Sequence, residues 1–509
     1  MRKTIVCVTA LAVVILSLTH CQSSEEASAE ALYGQYCGSC HQLPSPGDLS
    51  KDLWITRVLP EMGARLGVQA GAYNPVNGLG IEEAYYIERT QVYPKTPLLS
   101  ESEWDSIYNY VISLAPDSLP VDTVRKHRSV PLKQFSVHKI GIDRMNGARV
   151  TSLNCTGPEN GCWIGTGTGE WFSWSGTDTS RMVNLFASPI SGFDGQGSEQ
   201  LVLEMGNLNP SDVPRGKLWL FRNGRQQLLA EGLYRPVFAK RTDLNQDGTA
   251  EYLVCEFGNR VGMLSLIEGR DESYSKRVLV NQPGMIRVEL ADMNEDGRED
   301  IIALAGQGDE GIYVLFNQGD GKFSREQVIQ LPPVYGSSWF ELFDYDGDGD
   351  LDIAVVNGDN ADFTFILKPY HGFRLYLNDG SSNFTEAFFY PVYGATRVIA
   401  RDFDRDGDQD FAIAAIFPDF EHNAGESFIY LENEEAAAFR FQSYTSAATL
   451  EGHPLIMESN DVDKDGDLDI LLGLYVGSPA PVPDSLPQRW MRQNVDLLWL
   501  ENRIGEEPL

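Results

Sequence analysis

Positive charge is scarce in this sequence. Forty lysines and arginines face 73 aspartates and glutamates, for a formal net charge of −33 across 509 residues. Binding a phosphate backbone needs a basic face, so nucleic acid is excluded as a partner. Long apolar runs are also missing. The one candidate, Ile5 to about Leu18 behind Arg2 and Lys3, is too short and wrongly flanked for a spanning helix and reads as an export signal. No later segment holds 18 unbroken apolar residues, so the mature chain is not expected to span a membrane. Soft metal ligands are few, with seven cysteines and seven histidines, and no second Cys/His pair stands at zinc-finger spacing from Cys37 and Cys40. No Ser/His/Asp set or nicotinamide fingerprint appears, and GTGTG at 165–169 lacks the helix pattern a phosphate loop needs.

What is present divides into three parts. The apolar run ends LTHCQSSEE, with Cys21 at its junction with acidic residues. This resembles the lipobox of bacterial lipoproteins, although His20 stands where a small residue is usual; ordinary cleavage is the alternative. The resemblance implies lipidation of Cys21 and a place in the cell envelope as an outer-membrane lipoprotein, facing the periplasm or the surface. Membrane contact would then be through the anchor alone. Residues 1–20 read as the signal and 21–30 as the tether.

CGSCH, Cys37 to His41, is the attachment phrase for a c-type haem: two thiols form thioethers and the adjacent histidine reaches the iron. A redox C-x-x-C or half of a zinc site are the other readings. Leu32 and Tyr36 share one helical face before it, while Trp104, Ile107, Tyr108, Val111 and Ile112 repeat at helical spacing up to Pro116. Residues 31–116 thus resemble the class I cytochrome c family. The resemblance implies one covalent haem c on Cys37 and Cys40, with His41 as proximal and Met62 as distal ligand. Met62 is the only methionine between residues 30 and 140, and a long stretch follows it before the next helix. A Met/His-ligated iron passes electrons and leaves no position open for substrate.

The rest of the chain, 132–509 after a linker at 117–131, repeats an acidic phrase. FDYDGDGDLDIAVV has relatives starting at Asp243, Asp292, Asp402 and Asp461, all of the form D-x-[DN]-x-D-G-x-x-[DE] ahead of an apolar run. Oxygens at positions 1, 3, 5 and 9 suit Ca²⁺, and the glycine at 6 allows the sharp turn. The candidate ligands are Asp243, Asn245, Asp247 and Glu251; Asp292, Asn294, Asp296 and Asp300; Asp344, Asp346, Asp348 and Asp352; Asp402, Asp404, Asp406 and Asp410; and Asp461, Asp463, Asp465 and Asp469, for up to five ions. EF-hands are rejected, because the twelfth positions are the apolar Val254, Ala303, Val355, Ile413 and Leu472.

The starts are 49, 52, 58 and 59 residues apart, the length of a four-stranded propeller blade. The phrase resembles the FG-GAP/VCBS repeats of integrin-type β-propellers. A degenerate copy, GFDGQGSEQLVLEMG, keeps Asp194, Gln196, Gly197 and Gln200, and a further blade fits between 141 and 191, giving about seven. VDLLWLEN, near the C-terminus, lacks a fourth strand and LKQFSVHKI, Leu132 to Ile140, lacks a sheet, so the two are expected to pair and close the ring. Cys155 and Cys162 flank a turn-like TGPENG and are open to pairing, and Cys255 sits in an apolar run.

The expected fold is therefore a small all-α cytochrome c domain followed by an all-β propeller. Long connections between second and third strands in the last three repeats carry Lys368, Tyr370, His371, Phe417, His422, Arg489, Trp490 and Arg492 on the face opposite the acidic turns. Tyr370, His371, His422, Arg489 and Trp490 are the candidate partner face, for a redox partner protein or an anionic or sugar-like ligand; ordinary loop decoration is the bland alternative. Three functions fit. One is electron transfer with a binding propeller. Another is a propeller-borne oxidoreductase or lyase on a sugar-like substrate, the haem taking electrons. The third is an adhesion module.

Overall fold

A computed structural model of the chain describes residues 28–68, 73–121, 129–156, 161–176, 180–195, 199–270, 273–359, 366–477 and 482–504. The export signal, Cys21, Gln196 and Gly197 lie outside them. No helix among the described residues is long and apolar enough to cross a membrane. The chain divides into two compact units, one up to Gly80 with Glu88–Leu119, the other Ile81–Ile87 with Pro120 onward.

The first unit is helical. A helix over 28–37 runs up to the CGSCH phrase, and Tyr33 near its middle meets Tyr110 of helix Glu101–Leu114, ring centroids 5.6 Å apart. Ser100 and Glu103 cap the latter helix reciprocally, which fixes where it starts. Its buried stripe of Trp104, Ile107 and Val111 faces the small core. Helix Leu59–Arg65 packs close by: a Cβ on Gly63 would lie 2.9 Å from the Trp104 ring, so only glycine admits this approach.

The second unit is a β-propeller of seven four-stranded blades. Blade 1 begins at Val150–Asn154, blade 2 at Ile190–Asp194, blade 3 at Pro236–Thr242 and blade 4 at Met285–Ala291. Blades 5, 6 and 7 begin at Ser337–Phe343, Ala395–Arg401 and His453–Asn460. Each first strand packs beside that of the next blade, and His453–Asn460 returns to Val150–Asn154, so the ring is closed around an axis. Second strands such as Asp300–Ala305, Asp352–Asn357 and Asp410–Ala415 are buried at every position, as expected for strands covered on both faces.

Blade 7 is completed as expected: Phe135–Ile140 pairs antiparallel with Leu497–Asn502, from Phe135 opposite Asn502 to Ile140 opposite Leu497. Phe135 is buried against Phe403 and Tyr430 of blade 6, with centroids 6.0 and 5.3 Å away, tying the closing strand across the joint. The linker holds one surprise. Ser129–Pro131 adds a fifth strand, parallel to Arg440–Thr445 at the rim of blade 6. Cys155 and Cys162 are joined as a disulfide, and Cys255 is a buried free thiol. Trp163, Trp171 and Trp174 are buried strand residues of blade 1.

Candidate functional site

Five acidic turns join first to second strands in blades 3 to 7. Glycine at position 6 takes a left-handed backbone in each, from φ 83° at Gly248 to 102° at Gly407. That curl folds the loop onto its first carboxylate. The amide of the position-6 glycine donates to Asp243 (3.0 Å), Asp292 (2.7 Å), Asp402 (3.1 Å) and Asp461 (3.1 Å), and Gly349 donates to Asp344 (3.0 Å).

Carboxylate oxygens of Asp344, Asp346 and Asp348 lie within 4.8 Å of one another, as do those of Asp402, Asp404 and Asp410 and those of Asp461, Asp463 and Asp465. No such acidic trio forms among the described residues of the turns at Asp243 and Asp292, where Asn245 and Asn294 take the third position. Asp402 and Asp461 each bury an Oδ1 that receives no hydrogen bond among the described residues. So do Asp408 and Asp467, at position 7 of the same turns. A buried acceptor without a donor costs about 1–3 kcal/mol, more when charged. Hard, oxygen-only and short of donors, this donor set fits a divalent cation such as Ca²⁺.

Sequence spacing did not single out Asp408 and Asp467. It also missed what position 9 does. Asp300, Asp352, Asp410 and Asp469 are buried, and one oxygen of each accepts the amide that follows position 1: Met293, Tyr345, Phe403 and Val462, at 2.8–3.1 Å. The other oxygen accepts the amide of an asparagine near the end of the third strand, Asn317, Asn378, Asn433 or Asn502, at 2.7–2.9 Å. Position 9 thus bolts the turn to the blade. A recurring Asn after the third strand was the available signal.

These carboxyls titrate high. Burial, then the carboxylates of Asp465 and Asp469, pushes Asp467 up to about 7, and burial likewise takes Asp410 to about 7 and Asp408 and Asp469 to about 6. Without metal, the folded protein therefore keeps protons that the unfolded chain releases near pH 4. Stability of the metal-free protein is expected to fall as pH rises from about 4 to 7. Buried Glu310 and half-buried Glu458, both raised to about 7, act in the same direction; buried His453, lowered to about 4, opposes them as a single group. Thermal melts in chelator across this window test it, and a midpoint that climbs with pH would refute it.

In the helical unit, Cys37 is half-buried, Cys40 exposed and His41 half-buried. His41 Nδ1 lies 2.9 Å from the Gln42 carbonyl oxygen. A carbonyl only accepts, so Nδ1 carries the proton and Nε2 keeps its lone pair for a metal. Burial, then the neighbouring Cys40, pushes the Cys37 thiol up to about 12. Met62 sits partly buried on helix Leu59–Arg65, beside Glu61, which takes hydrogen bonds from Arg65 (3.1 Å), Tyr73 (2.7 Å) and Tyr93 (2.7 Å). Two thiols and an imidazole adjacent along the chain are the residue types that covalent attachment of a c-type haem needs.

The expected partner face is not assembled as a surface. His371 and Trp490 are 0% and 1% exposed, and Lys368 and Phe417 are buried too. Trp490 packs on His453 (5.0 Å) and Phe420 (6.4 Å), and its Nε1 donates to the Leu450 carbonyl. Large rings gain most by burial, and here they pin the insertions down. Tyr370 stacks on Tyr335 at 4.8 Å. Arg489 and His422 remain exposed, beside Glu451 (3.8 Å) and Asp419 (3.0 Å).

Residues 292–355 match the FG-GAP-like repeat family. The matched segment runs from the first aspartate of one acidic turn through the next turn into its second strand, so it contains two of the five loops. Solved structures with a similar fold include the WD40 domain of Neurospora crassa Pan2, at 12% identity and TM-score 0.44, covering 74% of this chain and 98% of that one. Saccharomyces cerevisiae Sqt1 has 10% identity and TM-score 0.41, with 72% and 99% covered. BBS1N, solved in complex with ARL6DN, has 12% identity and TM-score 0.43, with 75% and 99% covered. No curated protein matches the chain.

Proposed function

We propose that this protein is an exported, lipid-anchored electron carrier in which a haem-c unit precedes a Ca²⁺-stabilised FG-GAP-like propeller that binds a partner or ligand. The observation that carries the redox half is CGSCH with His41 Nδ1 engaged by a backbone carbonyl, which leaves Nε2 as the only ring nitrogen able to bind iron. Cys37 and Cys40 would hold the porphyrin covalently, and Met62 would offer its sulfur as a further ligand. When bound, such a group supplies one-electron transfer at a raised potential. The chain's own part is to fix the imidazole, shield the thioether side and leave the attachment edge at Cys40 near solvent.

The binding half is supported by the propeller fold, the FG-GAP-like repeat and the long insertions gathered on the face away from the acidic turns. Cation binding is supported by the donorless buried oxygens of Asp402, Asp408, Asp461 and Asp467. Export is supported by the apolar run before Cys21 and by an attachment phrase whose chemistry is completed outside the cytoplasm. Stopped-flow reduction of the haem-loaded protein tests the carrier reading. Rapid reduction by small redox proteins, with no turnover of neutral or acidic sugars, is the expected result. Steady haem reduction driven by a sugar alone would replace the carrier with an enzyme.

A further inference from the structure

The ring of first strands carries a band of charge around the propeller axis. Lys240 of blade 3 pairs with Glu289 of blade 4; Arg287 of blade 4 reaches Glu341 of blade 5 at 3.0 Å; Arg401 of blade 6 reaches the same Glu341 at 3.4 Å. Arg397 of blade 6 breaks this pattern. Among the described residues its one side-chain hydrogen bond runs from Nη1 to the neighbouring Thr396 carbonyl, 2.8 Å away, and no carboxylate lies within 4.0 Å. Its Nε is buried without an acceptor. The guanidinium lies 4.4 Å from the centroid of Trp339, and that of Arg287 lies 4.0 Å from the same ring. Two like charges share one indole, while five N–H donors of Arg397 have a single partner. Burial, then Arg287, pulls Arg397 down to about 10, against a smaller opposing pull from Glu458 and Asp359.

The register places this group. Arg397 faces Ala414, Trp339 faces Val356 and Arg287 faces Leu304, each next to the end of its second strand. That is the end of the blades from which the long insertions leave, opposite the acidic turns. We propose that Arg397 binds the carboxylate of a small anionic ligand at this mouth of the propeller axis. A planar guanidinium fork matches a carboxylate with two parallel hydrogen bonds, where a lysine would offer only a point charge. A monoanion is favoured over a phosphate dianion because Glu458 and Asp359, the carboxylates that act on Arg397, repel the second charge. The inference rests on the reading of the propeller as a binding module and gives that module a ligand class.

Calorimetric titration of the full chain in Ca²⁺, at fixed ionic strength, tests it with acetate, glucuronate, glucose and inorganic phosphate as probes. Acetate and glucuronate are expected to bind saturably and glucose not at all. Arg397→Gln should lose at least about tenfold in affinity, the equivalent of one charge-assisted contact of about 1.4 kcal/mol. Should that variant fail to fold, Arg397→Lys keeps the charge without the fork and should still weaken binding several-fold. Glu458→Gln should tighten binding by removing a repelling neighbour. Saturation by neither carboxylate, tighter binding of phosphate, or unchanged affinity in the Arg397 variants overturns the inference. A chain that takes no carboxylate yet still captures a redox partner in Ca²⁺ sinks this inference and leaves the binding module standing.

Discussion

Transferring the chain from millimolar Ca²⁺ into chelator is expected to lower its thermal midpoint by at least about 10 °C. Each ion that binds only the folded state contributes about 2.7 kcal/mol when present at a hundredfold excess over its dissociation constant. Five turns sum to about 13 kcal/mol, and at an unfolding entropy of about 2.1 cal/mol/K per residue a propeller of this length moves its midpoint by roughly 1 °C for each kcal/mol. The turns at Asp402 and Asp461 should carry the largest shares, because they leave two carboxylate oxygens apiece buried and donorless. Asp461→Ala gives a sharper test, since its sign should reverse with conditions. In Ca²⁺ it removes a ligand and destabilises by about 2–3 kcal/mol. In chelator it removes one of three carboxylates held within 4.8 Å and should stabilise. Equal midpoints in Ca²⁺ and chelator would leave the acidic turns as solvated charge.

His41→Ala is expected to abolish the low-spin visible spectrum of protein matured with haem, and the Cys37→Ala, Cys40→Ala double variant to retain no haem after denaturation in acidified solvent. Both effects should be complete, because attachment and axial ligation each depend on those atoms. Met62→Leu separates the two ligands: haem should remain covalently bound while the iron becomes high-spin. A chain that releases all its haem on denaturation would end the cytochrome reading. A Met62→Leu spectrum identical to the parent would move the sixth ligand elsewhere and leave attachment intact.

Local signals made much of this molecule legible. The acidic turns announce themselves because their carboxylates lie within nine residues, and their spacing counted blades before any sheet was visible. The closing pair was legible by subtraction, since blade 7 has three strands after Asn460-side pairing begins and Phe135–Ile140 supplies the fourth. What escaped depends on contacts between distant segments. Asn502 bolts Asp469 from 33 residues away, and its side chain also reaches Phe403 of the previous blade at 2.8 Å. Trp490 and His371 looked like a recognition surface because aromatic and basic residues in loops usually are exposed; the insertions fold back and bury them. Arg397 carries no local signal, since only the ring sets it beside Arg287 and Trp339 of its neighbours.

The pairing of Phe135–Ile140 with Leu497–Asn502 bears on how the chain matures. Six blades can gather their own strands as they emerge, but the seventh waits for its last segment. Until then the circle has two raw rims, able to recruit strands from other chains. Its most non-local contact thus comes last and slowest. A polypeptide cut short before Leu497 would lack the partner of Phe135–Ile140 and remain an unlatched arc.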